Sequence, residues 1–250
     1  MHRSLNTVLT TLGRPSRLAS AGRSRSMTTT RPARFPLTHS TPSASACPAC
    51  SAPLPSLSPV CPACSSLVPP PPPSTSHYSL LSLATDPAPP YAVDLKVLKR
   101  AFLRLQQQVH PDRFGGQGDT EEWAKVWSAR VNDAWKTLSN DRERAEYLLT
   151  LHDVTIGEAD PVTDPELLMA IMETREALED AETPEQVESI RDDNSRTMKE
   201  AISNLVKAFD ETDPPDLETA RNLVIQLKYL DNVETVCREW SPGQRVELQH

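Results

Sequence analysis

Apolar residues take up a helical rhythm near Tyr78 and keep it almost to the end of the chain. Leu95, Leu98, Phe102, Leu105 and Val109 recur at i, i+3, i+7 spacing, one buried face of a helix that Asp94 can cap. Trp123, Trp127, Val131, Ala134 and Leu138 make a second stripe, on a helix expected from about Thr120 to Leu138, with Asp119 and Glu122 as a capping-box-like start. The short stretch from Pro111 to Gly118 between them predicts an antiparallel helical hairpin. Further on, Thr163-Asp164-Pro165-Glu166 and Thr183-Pro184-Glu185-Gln186 both read as capping boxes, the second with proline at the first helical position. They predict helices near 164–181 and 184–211, and Asp213-Pro214-Pro215-Asp216 breaks the chain before a last helix near 217–239. No stretch alternates β-branched and aromatic residues over strand length, and no internal repeat is visible. The fold class expected is all-α: a helical hairpin, then a three-helix bundle, joined near Asp153–Pro161.

Charge divides the chain sharply. Its net charge is −8, yet residues 1–85 hold seven arginines and no acid. The other 19 basic residues lie beyond, with all 34 acids, leaving residues 86–250 at −15. Such a body does not suit non-specific nucleic-acid binding, which needs phosphate-neutralising cations. No apolar run is long enough to span a membrane. An acid-free start rich in Arg, Ser and Thr has mitochondrial transit-peptide composition, expected to be cleaved between Arg23 and Thr30, which places the mature protein in the matrix. Seventeen of the 24 prolines fall in the first 90 residues, five of them in the run Pro69 to Pro73, expected to be a stiff spacer. The segments expected are therefore 1–40 for targeting, 41–67 for a cysteine module, 68–75 for a proline linker, 76–152 for the hairpin domain and 160–250 for the bundle.

The hairpin turns through Gln108-Val109-His110-Pro111-Asp112-Arg113-Phe114-Gly115-Gly116. Pro111 has no N–H and disfavours the α region for His110, so the helix must stop there. His110 and Asp112 are then held at a helical tip, with no nucleophile near and no triad spacing. Taken alone, the tripeptide is an ordinary helix stop. Together, Tyr78-Ser79-Leu80-Leu81, the basic helix, His110-Pro111-Asp112 and Asn132-Asp133-Ala134-Trp135-Lys136-Thr137-Leu138 resemble a J-domain. That resemblance implies that His110, Pro111 and Asp112 trigger ATP hydrolysis on a DnaK-type chaperone, and that Lys96, Lys99, Arg100 and Arg104 dock on it. Without the resemblance these four are a solvated helix face. The chain departs from the J-domain pattern at Ser79, where an aromatic is usual, and in its glycine-rich loop.

Three later stretches narrow the resemblance. Arg144-Ala145-Glu146-Tyr147-Leu148-Leu149, Leu167-Leu168-Met169-Ala170-Ile171-Met172-Glu173 with Arg175-Glu176-Ala177-Leu178, and Leu227-Lys228-Tyr229-Leu230-Asp231 are similar to the HscB family of iron–sulfur co-chaperones, the mitochondrial type in particular. The similarity covers residues 76–240 and implies a non-enzymatic adaptor. Its bundle binds an IscU-type scaffold through Leu168, Met172 and Tyr229, and its J-domain brings the loaded scaffold to a mitochondrial DnaK-type partner; a homodimer is compatible with this. Helical geometry agrees: Leu167, Ile171, Thr174 and Leu178 form a narrow seam, with Leu168 and Met172 roughly 90–130° from it. On the last helix Ala220, Leu223, Leu227 and Leu230 form the seam, and Tyr229 points nearly opposite, near Ile225 and Val236. Apolar residues off the seam mark an interaction patch; read without the resemblance, they are as readily packing positions. A J-protein with another client would use them that way.

Cys47-Pro48-Ala49-Cys50 and Cys61-Pro62-Ala63-Cys64 give two C-x-x-C pairs, a four-thiolate set for which zinc is the default ion. A metal would supply the ordering energy of a segment too small to fold alone. An iron–sulfur cluster is the alternative occupant, since it too takes four cysteines. Two disulfides, or reduced thiols, remain the plain alternatives, although matrix proteins seldom keep structural disulfides. Ser51 and Ser65 stand where a knuckle often has glycine. Some eukaryotic members of the resembled family carry a similar four-Cys module. A thiol redox enzyme is the competing class, but no thioredoxin-like βαβ pattern surrounds the pairs. Cys237, alone in an apolar stretch, reads as a core residue.

Overall fold

The computed structural model describes residues 46–242 apart from 56, 84, 86, 87, 117, 158–161 and 163. The expected targeting segment 1–40 lies outside the described residues. Helices follow in the order α1 (His77–Leu80), α2 (Leu95–Val109), a 3-10 turn (Pro111–Arg113), α3 (Asp119–Ser139), α4 (Asp141–Leu151), α5 (Pro165–Glu179), α6 (Pro184–Val206), a π-helical turn (Lys207–Glu211) and α7 (Leu217–Glu239). Among the described residues the only extended pairings are two isolated bridges, Ala46 with Pro53 and Val60 with Leu67. The all-α expectation holds.

The hairpin forms because two apolar stripes meet. Asp94 caps α2 by accepting from the N–H groups of Lys96 and Val97 at 2.7 and 3.3 Å. Leu98, Leu105 and Val109 bury against Trp127, Val131, Ala134 and Leu138 of α3 in one core, and Phe102 stacks on Trp135 at 5.1 Å. Leu95, expected in the stripe, is exposed: helical geometry rotates it about 60° from Leu98. The capping box expected from Asp119 and Glu122 does not form, because α3 begins one residue early. Gly118, at φ 56°, is its N-cap without a side-chain bond, and Asp119 is already helical. Glu121 instead accepts from Gly116 N–H at 2.9 Å and pairs with Lys125 at 2.8 Å. Lys125, then Gly116, hold the Glu121 carboxyl below its ordinary range.

The bundle follows its capping signals closely. The Thr183 box forms with both reciprocal bonds, and Asp216 caps α7 through Thr219 N–H at 3.1 Å. At α5 the cap is Asp164: its side chain accepts from Glu166 N–H at 2.9 Å and Pro165 takes the first helical position, while the Thr163 of the expected box lies outside the described residues. α7 lies centrally, with Ala220, Leu227 and Leu230 buried on its expected seam and Val224, Ile225 and Val233 buried beside it. A smaller core of Leu178, Val187, Val233 and Cys237 closes the far end, Cys237 being packed inside as expected.

Hairpin and bundle meet through α4 and the segment before α2. The Asp210 carboxylate, on the π-helical turn, accepts from Tyr91 N–H at 2.7 Å and Ala92 N–H at 2.8 Å. Arg142 donates to Asp231 at 2.7 Å. Buried Arg144 donates to the carbonyls of Tyr91 and Leu138 at 2.8 and 2.6 Å, pairs with Asp141, and lies 4.8 Å from the centre of the Tyr91 ring. A buried guanidinium satisfied on every side orients what it touches.

The proline run lies against α3. Val68 is buried, and its carbonyl accepts from Trp127 Nε1 at 2.9 Å. Arg130 donates to the carbonyls of Pro71 and Thr75. Prolines lack N–H groups but keep their carbonyls, so a proline strap can be held by donors from one side alone. α3 supplies them.

Candidate functional site

Three places gather the residues singled out from sequence. The first is the hairpin tip. α2 ends at Val109, His110 takes φ −59° and ψ 125°, and Pro111 begins the 3-10 turn, as the missing N–H dictates. His110 Nδ1 accepts from Asp112 N–H at 3.3 Å, and its ring lies 3.7 Å from the Asp112 carboxylate. Both side chains face solvent, at 49% and 89% exposure. Arg113 donates to the Gln107 carbonyl at 2.7 Å, tying the tip to the last turn of α2. Gly116, at φ 75°, turns the chain back. The tip presents both side chains outward. Below it, Lys96, Lys99, Arg100 and Arg104 are all exposed, and none forms an ion pair with a described residue.

The second place is the outer face of α5. Leu168 and Met172 are exposed at 47% and 63%, off the seam of Leu167, Ile171, Thr174 and Leu178, as the periodicity predicts. Met169, 62% exposed, joins them on the surface. Its i, i+3 relation to Met172 sets the two on one face. Tyr229 is placed differently. It is half-buried in the small distal core, and its hydroxyl donates to the Ile171 carbonyl at 3.1 Å. The bond ties α5 to Tyr229, which stays partly exposed. Burial pushes its phenol up to about 12.

The third place is the thiol cluster, built as two equivalent knuckles. In each, the first cysteine's N–H bonds forward and the serine after the second cysteine bonds back to the first cysteine's carbonyl: Cys47 N–H to Ala52 at 2.9 Å and Ser51 N–H to Cys47 at 2.8 Å, then Cys61 N–H to Ser66 and Ser65 N–H to Cys61, both at 2.9 Å. Ser51 and Ser65 both adopt left-handed φ, 60° and 59°. The equivalence follows the sequence, which repeats Cys-Pro-Ala-Cys-Ser at 47–51 and 61–65. All four sulfurs lie within 4.8 Å of one another, with Cys47–Cys64 at 3.6 Å and Cys50–Cys61 at 3.7 Å. A disulfide needs sulfurs about 2.05 Å apart, and none of the four is so bonded. Tetrahedral zinc with Zn–S bonds of about 2.3 Å sets its sulfurs about 3.8 Å apart. The cluster fits a tetrahedral metal. Ser66, through its hydroxyl and backbone, draws the Cys64 thiol down to about 6. At Cys50 the Ala52 N–H pulls downward, but the thiols of Cys64, Cys47 and Cys61 and burial push it up to about 12.

A helical hairpin with an exposed His-Pro-Asp tip, joined through a shared core to a three-helix bundle, is the architecture of a J-domain protein with a C-terminal helical bundle. Residues 163–237 match the family model described as the HSCB C-terminal oligomerisation domain. A co-chaperone protein HscB homolog of Paraburkholderia phymatum is 32% identical over 63% of this chain and 89% of its own length, and the mouse iron–sulfur cluster co-chaperone protein HscB is 34% identical over 66% and 68%. The crystal structure of human co-chaperone protein HscB superposes with a TM-score of 0.68 at 30% identity, over 78% of this chain and 98% of that one. The chain belongs to the HscB family of iron–sulfur cluster co-chaperones.

Proposed function

We propose that the protein is a mitochondrial matrix adaptor that brings an IscU-type scaffold to a DnaK-type chaperone and stimulates that chaperone's ATPase, so that the cluster can be passed on. His110, Pro111 and Asp112 are the trigger, and Lys96, Lys99, Arg100 and Arg104 the docking face. Leu168, Met169 and Met172 are the scaffold contacts, with Tyr229 setting the helix that presents them. The observation that carries this reading is the presence in one chain of an exposed His-Pro-Asp tip, a basic face whose four cations form no ion pair with a described residue, and an exposed apolar trio on α5. Solvent-exposed methionines are adaptable contacts, suited to a partner with a shape of its own. The acid-free segment 1–85 supports matrix delivery. The segment boundaries stated from sequence stand as part of this proposal, with 68–75 acting as a brace on α3. Zinc is the proposed ion at Cys47, Cys50, Cys61 and Cys64, where it would be structural: four protein thiolates leave it no open position for chemistry.

The test is stimulation of the matching mitochondrial chaperone's ATPase by the full chain, with and without its iron–sulfur scaffold. His110→Gln is expected to abolish stimulation while leaving scaffold binding intact. The triple variant Leu168→Ala, Met169→Ala, Met172→Ala is expected to lose scaffold binding while keeping stimulation. Scaffold binding unchanged in the triple variant, measured by calorimetry, overturns the proposed patch and leaves a J-protein of another client. Metal content by elemental analysis reads the ion, and sedimentation reads whether the chain forms a homodimer.

A further inference from the structure

The docking face of α2 contains a residue that electrostatics does not explain. Leu103 is 46% exposed. At about 100° per residue it falls within about 60° of Lys96, Lys99, Arg100, Gln107 and His110, and about 120–160° from the buried Leu98, Leu105 and Val109. It therefore sits inside the charged surface, on the side of the helix turned away from the core. Helix propensity does not call for it, since Lys, Arg and Gln serve nearly as well in an exposed helix. The hairpin core does not use it; the α2 seam is complete without it. The other exposed apolar residues differ in setting. Leu168, Met169 and Met172 cluster with one another on α5, Val126 and Leu151 line a common cleft with Pro70 to Pro73, and Leu95 and Val97 open the first turn of α2. Leu103 has the cations Lys99, Arg100 and Arg104 beside it and the polar Gln106 and Gln107 one turn on.

We infer that Leu103 is the apolar anchor of the chaperone-docking surface, seated in a nonpolar socket of the partner whose rim carries carboxylates. This rests on the docking face proposed above. The charge of that face names the rim: α2 carries no acidic residue, so its cations are not neutralised along the helix and need an acidic partner surface. The leucine names the centre. Exposed cations speed encounter but add little to residence time, because rim pairs stay hydrated and screened. An apolar side chain beside long charged ones is dried by the same contact, and it holds the partner after steering has ended. Two turns further along the same face lies His110, so the anchor and the trigger engage together.

Steering and anchoring separate by salt. The experiment titrates the full chain against the DnaK-type chaperone in steady-state ATPase assays at low and physiological ionic strength. It compares wild type, Leu103→Gln, Leu103→Ala, Arg100→Gln and His110→Gln, with circular dichroism to confirm that each variant is folded. Leu103→Gln and Leu103→Ala are expected to raise the half-saturating concentration roughly five- to tenfold, the loss from leaving half a leucine in water. That factor is expected to be the same at both salt concentrations, with maximal stimulation unchanged. Arg100→Gln is expected to lose most of its effect as salt rises. A half-saturating concentration unchanged by either Leu103 variant, in a wild type that stimulates, overturns the anchor alone. So does a Leu103 effect that fades with salt, which makes the leucine a spacer for its charged neighbours. A wild type that does not stimulate overturns the chaperone reading and the anchor with it, and a His110→Gln that stimulates normally overturns the trigger while leaving the Leu103 comparison to be read.

Discussion

The most instructive single residues are those in awkward conformations. Ser51 and Ser65 hold φ near 60°, a region where a side chain costs about 1–2 kcal/mol and glycine costs nothing of that kind. Glycine also adds about 0.5–1 kcal/mol of unfolded-state freedom. The replacements Ser51→Gly and Ser65→Gly should therefore raise the thermal midpoint of the metal-bound protein, each by the equivalent of about 1 kcal/mol or less, read by calorimetry. The C-x-x-C spacing was legible from sequence because ligand spacing is a local property, and the departure from glycine was legible with it. The strain was not, since φ belongs to the fold. His77 offers a second check. Burial lowers its pKa below 6.5, Asp133 opposes that, and Arg130 adds to it. The folded state thus binds fewer protons than the unfolded state just below 6.5, so stability is full above that pH and falls as pH drops through the lowered value. Denaturant melts between pH 7 and 5 should show this slope, and His77→Gln should flatten it.

Among the elements, α5 is held most lightly. Leu178 is its only fully buried residue, and one side-chain bond, from Tyr229 to Ile171, fastens its middle. Tyr229→Phe keeps the ring and removes that bond, so a loss of about 1 kcal/mol is expected, measured in urea. Replacing Leu168, Met169 and Met172 by alanine should shift stability by less than about 0.5 kcal/mol each, because exposed positions contribute little to folding. A large loss there would mean that the trio packs in solution. The same helix marks where sequence reading succeeds and stops. Its seam and its exposed face followed from 3.6-residue periodicity, which each helix carries by itself. That Tyr229 bonds to it did not, because periodicity gives a residue's angle on its own helix and not what stands opposite. The box at Thr183 was read correctly and the one at Asp119 was not, for a related reason. At Thr183 the turn and the box share one acceptor, Gln186, which also takes the Glu182 N–H, whereas the start of α3 is set by the glycine loop closing behind the hairpin tip and by the Gly116–Glu121 bond.

At the scale of the whole molecule, hairpin, bundle and knuckles share one core, in which Cys47 and Cys61 appear beside Tyr78, Trp127 and Leu227. Removing the metal should therefore be felt in α3. Leu67 and Val68 run directly from the second knuckle to the Trp127 indole, which is 1% exposed. Chelation should shift tryptophan emission to the red in the wild type and much less in Trp127→Phe; equal shifts would place the change at another of the four tryptophans. Asp210→Ala should loosen the joint, with a loss of about 1–2 kcal/mol and no change in helix content, since it frees two N–H groups at the entrance to α2. The strap was hidden from sequence because a hydrophobic pattern records side chains, and this contact is made by carbonyls. That has a consequence for descent. A buried indole N–H is tolerable only while an acceptor faces it. A lineage that sheds the tetracysteine segment together with Val68 leaves this one orphaned, and the tryptophan becomes a burden. Loss of the module and replacement of Trp127 should travel together along the branches of the family, so that the residue at this position reports a missing module even in a fragment that begins after it.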